Sequence, residues 1–191
     1  MKRVFIIHRW DGSPNVDWYQ STANSLKEKG FEVTIPQMPS TAEPEIKSWV
    51  YKLSKLVGKP DKDTYFIGHS IGCQAIMRYL ESLPQKAKVG GCVFVAGWFN
   101  LDNLENEEVK SIAKPWIGTP INLHNVKKHL GNLTVILSSN DNYGFVQENS
   151  RIFKEKLKAK VIIEKNQGHF TEDDGITQMP IIIDELLRMV N

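Results

Sequence analysis

A serine between two glycines, a histidine and an aspartate hold most of the chemical potential of this chain. The serine is Ser70, in Gly68-His69-Ser70-Ile71-Gly72, where the strand pattern Thr64-Tyr65-Phe66-Ile67 meets a helix pattern from Cys73 to Leu83. A strand-to-helix turn this sharp exposes the central hydroxyl in strained backbone geometry, and the residues two before and two after it have to be small. A G-x-S-x-G string arises by chance in roughly one chain in twenty of this length, so the flanking strand and helix are what give it meaning. A free serine hydroxyl is a weak nucleophile and needs a base oriented by a third group. His169, in Gln167-Gly168-His169-Phe170, follows the strand pattern Val161 to Glu164. Asp141, in Ser139-Asn140-Asp141, follows the strand pattern Leu133 to Leu137. The carboxyl ends of strands in an open parallel sheet share one edge, which would gather the three residues. Ser70 would then attack an acyl carbon and His169 would shuttle its proton to the leaving group. Asp141 would orient the imidazole and stabilise its cation.

Each role has competitors. His69 flanks the nucleophile and is expected to point away from it, His124 and His129 read as surface residues, and His8 reads as structural at the end of the first strand. Asp11, Asp173 and Asp174 rival Asp141, which has the serine-aspartate-histidine chain order and the strand-end position in its favour. A tetrahedral intermediate also needs two donors for its oxyanion. The backbone N–H of Ile71 is one. The second belongs to the loop after Val4 to His8, where Trp10 is preferred over Arg9. Trp98 and Phe99, directly after a strand, are candidates to line an acyl pocket; Trp116 reads as core. The five histidines show no H-x-x-x-H spacing and the two cysteines are not paired in sequence, so no metal and no cofactor is implied.

The elements that would position these residues alternate between short apolar runs and longer amphipathic ones, the pattern of βαβ units. Val4 to His8, Phe31 to Ile35, Asp63 to Gly68, Gly91 to Gly97, Leu133 to Ser139 and Val161 to Glu164 read as strands. Asp17 to Lys29, Glu43 to Val57, Cys73 to Leu83, Val146 to Leu157 and Pro180 to Val190 read as helices. The expected fold is α/β in three layers, a compact and mostly parallel sheet with helices on both faces. Residues 1–191 are expected to form a single domain with a lid-like excursion at about 98–131, where Asn, Glu, Lys, Pro115 and Pro120 accumulate around Trp98, Phe99 and Trp116. Lys and Arg number 24 against 22 Asp and Glu, interspersed, which gives a nucleic acid nothing to bind. No apolar run approaches a membrane span or a signal-peptide core. Cys73 and Cys92 lie in apolar segments and read as reduced thiols of a cytoplasmic protein.

With Val4-Phe5-Ile6-Ile7-His8, Asp17-Trp18, Gln37-Met38-Pro39, the Ser70 pentapeptide continuing to Cys73, Met77-Arg78-Tyr79, Ser139-Asn140-Asp141 and Gly168-His169-Phe170 with Glu172-Asp173, nearly the whole chain resembles the small α/β-hydrolases of the retinoblastoma-binding-protein-9 and YdeN-like serine hydrolase family. The resemblance implies an α/β-hydrolase fold without the extra leading strands of larger hydrolases, and the triad Ser70, Asp141 and His169. It also exposes two departures. Arg9 stands where many relatives have glycine after the first-strand histidine; facing the site, it would favour anionic acyl groups. Asn142-Tyr143-Gly144-Phe145-Val146 lacks the proline usual after the triad aspartate, which predicts a looser loop. The expected activity is a serine hydrolase, a carboxylesterase that cleaves a small carboxylic ester through an acyl-enzyme on Ser70. A thioesterase or amidase with the same triad, and a catalytically silent fold that binds a protein partner, are the alternatives.

Overall fold

The computed structural model describes residues 1–190. Six strands, β1 (Arg3–Ile7), β2 (Glu32–Thr34), β3 (Thr64–His69), β4 (Gly91–Val95), β5 (Asn132–Ser138) and β6 (Lys160–Glu164), form one sheet in the order β2-β1-β3-β4-β5-β6. Every pairing is parallel, and the central strands β3, β4 and β5 are buried almost end to end because helices cover both faces. Successive residues of a strand face opposite layers. Phe5, Ile7, Phe66, Cys92, Phe94, Val135 and Leu137 pack on one side, and Val4, Ile6, Tyr65, Ile67, Val93, Val95 and Ile136 on the other.

The first of these layers takes α2 (Ile46–Val57), α3 (Ile71–Glu81), α4 (Glu107–Gly118), α5 (Leu123–His129) and α6 (Val146–Leu157); the second takes α1 (Tyr19–Glu28) and α7 (Pro180–Val190). Helix α2 docks Trp49, Leu53 and Val57 along one stripe and stops at Gly58, whose φ is 63°. Helix α3 is buried from Ile71 to Leu80, so truncating Ile76 or Leu80 to alanine costs about 2–5 kcal/mol. Such packing fixes the helix that begins at the candidate nucleophile.

Residues 98–131 leave the carboxyl edge of β4 and carry the two helices α4 and α5, each capped by an asparagine: Asn106 Oδ1 accepts from Val109 N–H and Asn122 Oδ1 from Asn125 N–H. Pro115, a breaker in the sequence, lies inside α4. Trp116, beside it, is anchored by its indole on the Pro44 carbonyl (2.7 Å) and by an edge contact with Trp49, so burial outweighs the lost helix hydrogen bond. His129 is a correction: it is 3% exposed and binds the Ala87 carbonyl through Nδ1 (2.8 Å). His124 is exposed, as expected.

Candidate active site

Ser70 sits between β3 and α3 with φ 54° and ψ −119°, a region that costs a non-glycine residue about 1–3 kcal/mol. Hydrogen bonds hold it there. Its N–H donates to the Val95 carbonyl at the end of β4, and its carbonyl accepts from Cys73 N–H, both at 2.9 Å. The two glycines are sterically required: a Cβ at Gly68 would lie 2.9 Å from the Cys73 backbone, and one at Gly72 only 2.3 Å from the Ile7 carbonyl oxygen. Gly72 thus lets the end of β1 close onto the first turn of α3.

Asp141 and His169 emerge after β5 and β6 at the same sheet edge, and His169 Nδ1 lies 3.0 Å from both carboxylate oxygens of Asp141. An ionised carboxylate only accepts, so Nδ1 carries the ring proton and Nε2 is left as an acceptor. Among the described residues Nε2 has no protein partner, and both His169 and Ser70 line one cavity of about 490 Å³. The rival carboxylates have other work. Asp174 accepts from the N–H groups of His169 (2.8 Å) and Thr171 (3.1 Å), closing the turn that carries His169. Asp11 and Asp173 line the cavity.

The loop after Asp141 is tied down despite lacking a proline. Tyr143 N–H donates to Asp141 Oδ1 (3.0 Å), Asp102 N–H to the Tyr143 carbonyl (2.7 Å), and Asn103 Nδ2 to the Asn142 carbonyl (3.0 Å). Two residues that sequence reasoning passed over belong here. The Tyr143 ring meets the His169 ring edge-on at 4.7 Å, and Asn140 Oδ1 accepts from Gly168 N–H (2.9 Å), joining the aspartate and histidine loops. Only the adjacency of Asn140 to Asp141 hinted at this.

Of the remaining candidates, Trp98 and Trp10 line the cavity and Phe99 does not. The Phe99 ring packs against the Phe153 ring at 4.6 Å, tilted by 46°, and its N–H donates to Asn149 Oδ1; adjacent residues past the strand end point apart, so the acyl-pocket expectation for Phe99 is corrected. Trp98 directs its indole N–H at Ser70 Oγ (3.3 Å). Arg9 contributes to the wall, but its Nε donates to Asp17 (2.8 Å), and the Asp17 side chain is fully buried, so its charge is already paired. Five carboxylates, those of Asp11, Glu105, Glu108, Asp173 and Asp174, line the same cavity, and among the described residues none of them is in an ion pair. The N–H groups of Trp10 and Ile71 likewise have no protein hydrogen-bond partner among the described residues, whereas those of Arg9 and Asp11 are bonded to Tyr19 Oη and the Thr41 carbonyl.

Behind the serine lies a second polar cluster. His69 is fully buried; its Nε2 meets the His169 carbonyl at 2.8 Å and its Nδ1 meets Tyr19 Oη at 2.7 Å. Burial, reinforced by the nearby His169, pushes the His69 pKa down to about 3. The ring is therefore neutral, and the directions follow from donor chemistry. Nε2–H donates to the carbonyl, Nδ1 accepts from the tyrosine hydroxyl, and that hydroxyl accepts from Arg9 N–H (3.1 Å). Burial also raises the Tyr19 pKa well above its ordinary value, keeping its proton. Next to this chain, Asp17 and Glu172 exchange backbone-to-carboxylate bonds at 2.9 and 3.2 Å, and Trp18 Nε1 donates to the Phe170 carbonyl. His8 completes the frame, its Nε2 accepting from Met38 N–H (3.1 Å).

A nucleophile elbow, an Asp–His pair and an open cavity at one sheet edge match what the sequence of residues 4–188 matches as a whole, the family model described as serine hydrolase. The chain belongs to the serine hydrolase family. It is similar to the ydeN gene product of Bacillus subtilis (strain 168), with 26% identity over 97% of this chain and 94% of that protein. The crystal structure of that product superposes with a TM-score of 0.89 at 27% identity, covering 100% of this chain and 99% of the other. The α/β-hydrolase fold also extends to more distant structures. Est1E from Butyrivibrio proteoclasticus with ferulic acid bound has a TM-score of 0.75 at 12% identity, with 100% of this chain and 90% of that one covered. Among the described residues of this serine hydrolase family member, no helix is long and apolar enough to cross a membrane.

Proposed function

We propose that this protein hydrolyses small carboxylic esters through an acyl-enzyme on Ser70. The observation that carries the reading is the Asp141–His169 pair, with Nε2 unpartnered, opening into the cavity that Ser70 also lines. In the reaction the Ser70 O–H proton passes to His169 Nε2 as Oγ bonds to the acyl carbon, and His169 then protonates the departing alcohol. Water repeats the sequence and returns the proton to Oγ. The unpartnered N–H groups of Ile71 and Trp10 are the oxyanion donors, and the first lies at the amino end of α3, where the helix dipole adds to its pull. Removing one such donor costs about 10²–10³ in kcat.

Trp98 and the stem of Arg9 shape the acyl side. A cavity of about 490 Å³ suits a small molecule, and short-chain acyl esters are the expected substrates. The ester class is supported by the distant fold neighbours, Est1E and the carboxylesterases of Nitrososphaera gargenis, the latter at a TM-score of 0.70 and 14% identity over 99% of this chain and 89% of that one. With Arg9 paired to Asp17 and five carboxylates around the cavity, neutral acyl groups are favoured over anionic ones. The test is a fluorophosphonate probe read by intact mass. One adduct on the wild-type protein, absent from Ser70→Ala and His169→Ala, is expected; no adduct under conditions that label a known serine hydrolase would overturn the reading in favour of a binding module.

A further inference from the structure

Trp98 was an expected wall of the acyl pocket, yet the one hydrogen-bonding group of its side chain is spent on the candidate nucleophile. The indole Nε1–H points at Ser70 Oγ from 3.3 Å, and the residue is 3% exposed. Three features aim it there. Ala96 adopts a left-handed φ of 48°, turning the chain back at the end of β4. The Trp98 carbonyl is held by the buried Gln74 side chain of α3 at 2.9 Å, and Val95, three residues earlier, accepts the Ser70 N–H. Indole and hydroxyl are thus fixed to each other by both neighbouring backbones. Packing at that point calls for the bicyclic shape of the ring, not for its N–H.

Resting on the hydrolase reading above, we infer that Trp98 is a catalytic residue whose indole N–H stabilises the charge that appears on Ser70 Oγ as its proton moves to His169. A hydrogen bond strengthens as its acceptor gains negative charge. Oγ is a neutral hydroxyl in the free enzyme, partly anionic while the proton leaves and the C–O bond forms, and a poor ester acceptor in the acyl-enzyme. When water adds and the acyl–Oγ bond breaks, Oγ takes up the electron pair and becomes partly anionic again before His169 returns the proton. A donor fixed on Oγ therefore stabilises both transition states more than the states between them, which is the condition for raising kcat.

The test compares wild type with Trp98→Phe and with Trp98 replaced by benzothienylalanine, which keeps the bicyclic shape and exchanges N–H for sulfur. Fluorophosphonate labelling is followed as a second-order rate, and a chromogenic acetate ester gives the acylation burst and the steady-state rate. Both variants are expected to label about 10- to 100-fold more slowly, with acylation and deacylation reduced together and KM within about twofold. Benzothienylalanine restoring wild-type labelling would overturn the inference, since shape alone would then suffice. So would a defect that changes with acyl-chain length, the mark of a pocket wall. Wild-type protein that fails to label sinks the hydrolase reading and this inference with it; wild type that labels alongside unimpaired variants sinks only the inference.

Discussion

His69 and Ser70 are consecutive residues at the end of one strand, and their surroundings are opposites. Around His69 every donor and acceptor of the imidazole is paired, both to a tyrosine whose hydroxyl is itself paired and to the carbonyl of His169. Beside Ser70 three polar groups are left open: Nε2 of His169 and the N–H groups of Trp10 and Ile71 have no protein partner among the described residues, and all three residues line the cavity. These groups open into the cavity, where water can satisfy them until a ligand takes its place. The saturated side holds the loops; the unsaturated side is where the proposed chemistry would take place.

The largest effect is expected on the open side. Asp141→Asn turns the acceptor of Nδ1–H into a donor, which drives the proton to Nε2 and blocks it from receiving the serine proton. The expected loss is about 10⁴-fold in kcat with folding intact, measured by ester turnover beside a thermal melt. Tyr19→Phe attacks the saturated side instead, orphaning Arg9 N–H and His69 Nδ1. It is expected to destabilise the protein by about 2–5 kcal/mol in a urea titration and to lower kcat by about 10- to 100-fold through misplaced loops, with KM little changed. An unchanged kcat in a destabilised Tyr19→Phe protein would reduce the cluster to plain structure.

Acid titration sharpens the same contrast. Because His69 is held down to about 3 when folded and has an ordinary value of 6.5 when unfolded, only the unfolded chain takes up this proton between those pH values. Stability from this group is whole above pH 6.5 and falls on acidification at up to about 1.4 kcal/mol per pH unit. His69→Gln, whose amide can still donate to the His169 carbonyl and cannot titrate, is expected to flatten that part of the pH–stability curve. The smallest effect concerns charge at the cavity. An ester with an anionic acyl group is expected to turn over about 3- to 10-fold more slowly than its neutral isostere, with the gap narrowing at high salt; an equal or faster rate would hand Arg9 back its role in substrate binding.

The sheet was legible because parallel strands buried on both faces write continuous apolar runs, as Thr64 to Ile67 and Gly91 to Val95 do. Helix α4 was harder to see, since Pro115 is a local stop signal that only the distant docking of Trp116 on Pro44 overrides. Ser70, Asp141 and His169 each stood at a recognisable strand end. The partners of His69 did not, being supplied from 50 and 100 residues away. Trp98 and Phe99 show a limit of another kind, because two aromatics in sequence differ in role only through the backbone turn at Ala96.

The paired bonds between Asp17 and Glu172 join residues 155 positions apart, and the His69–His169 bond spans 100. Domains fold as units while the ribosome delivers the chain from its amino end. The elbow with Ser70 is therefore translated long before the segment that brings His169 and clasps it to Asp17, just ahead of α1. On the proposed mechanism, Ser70 lacks its proton acceptor during that interval and stays a weak nucleophile until His169 arrives. Under that mechanism, activation of Ser70 and closure of the clasp would be one late event.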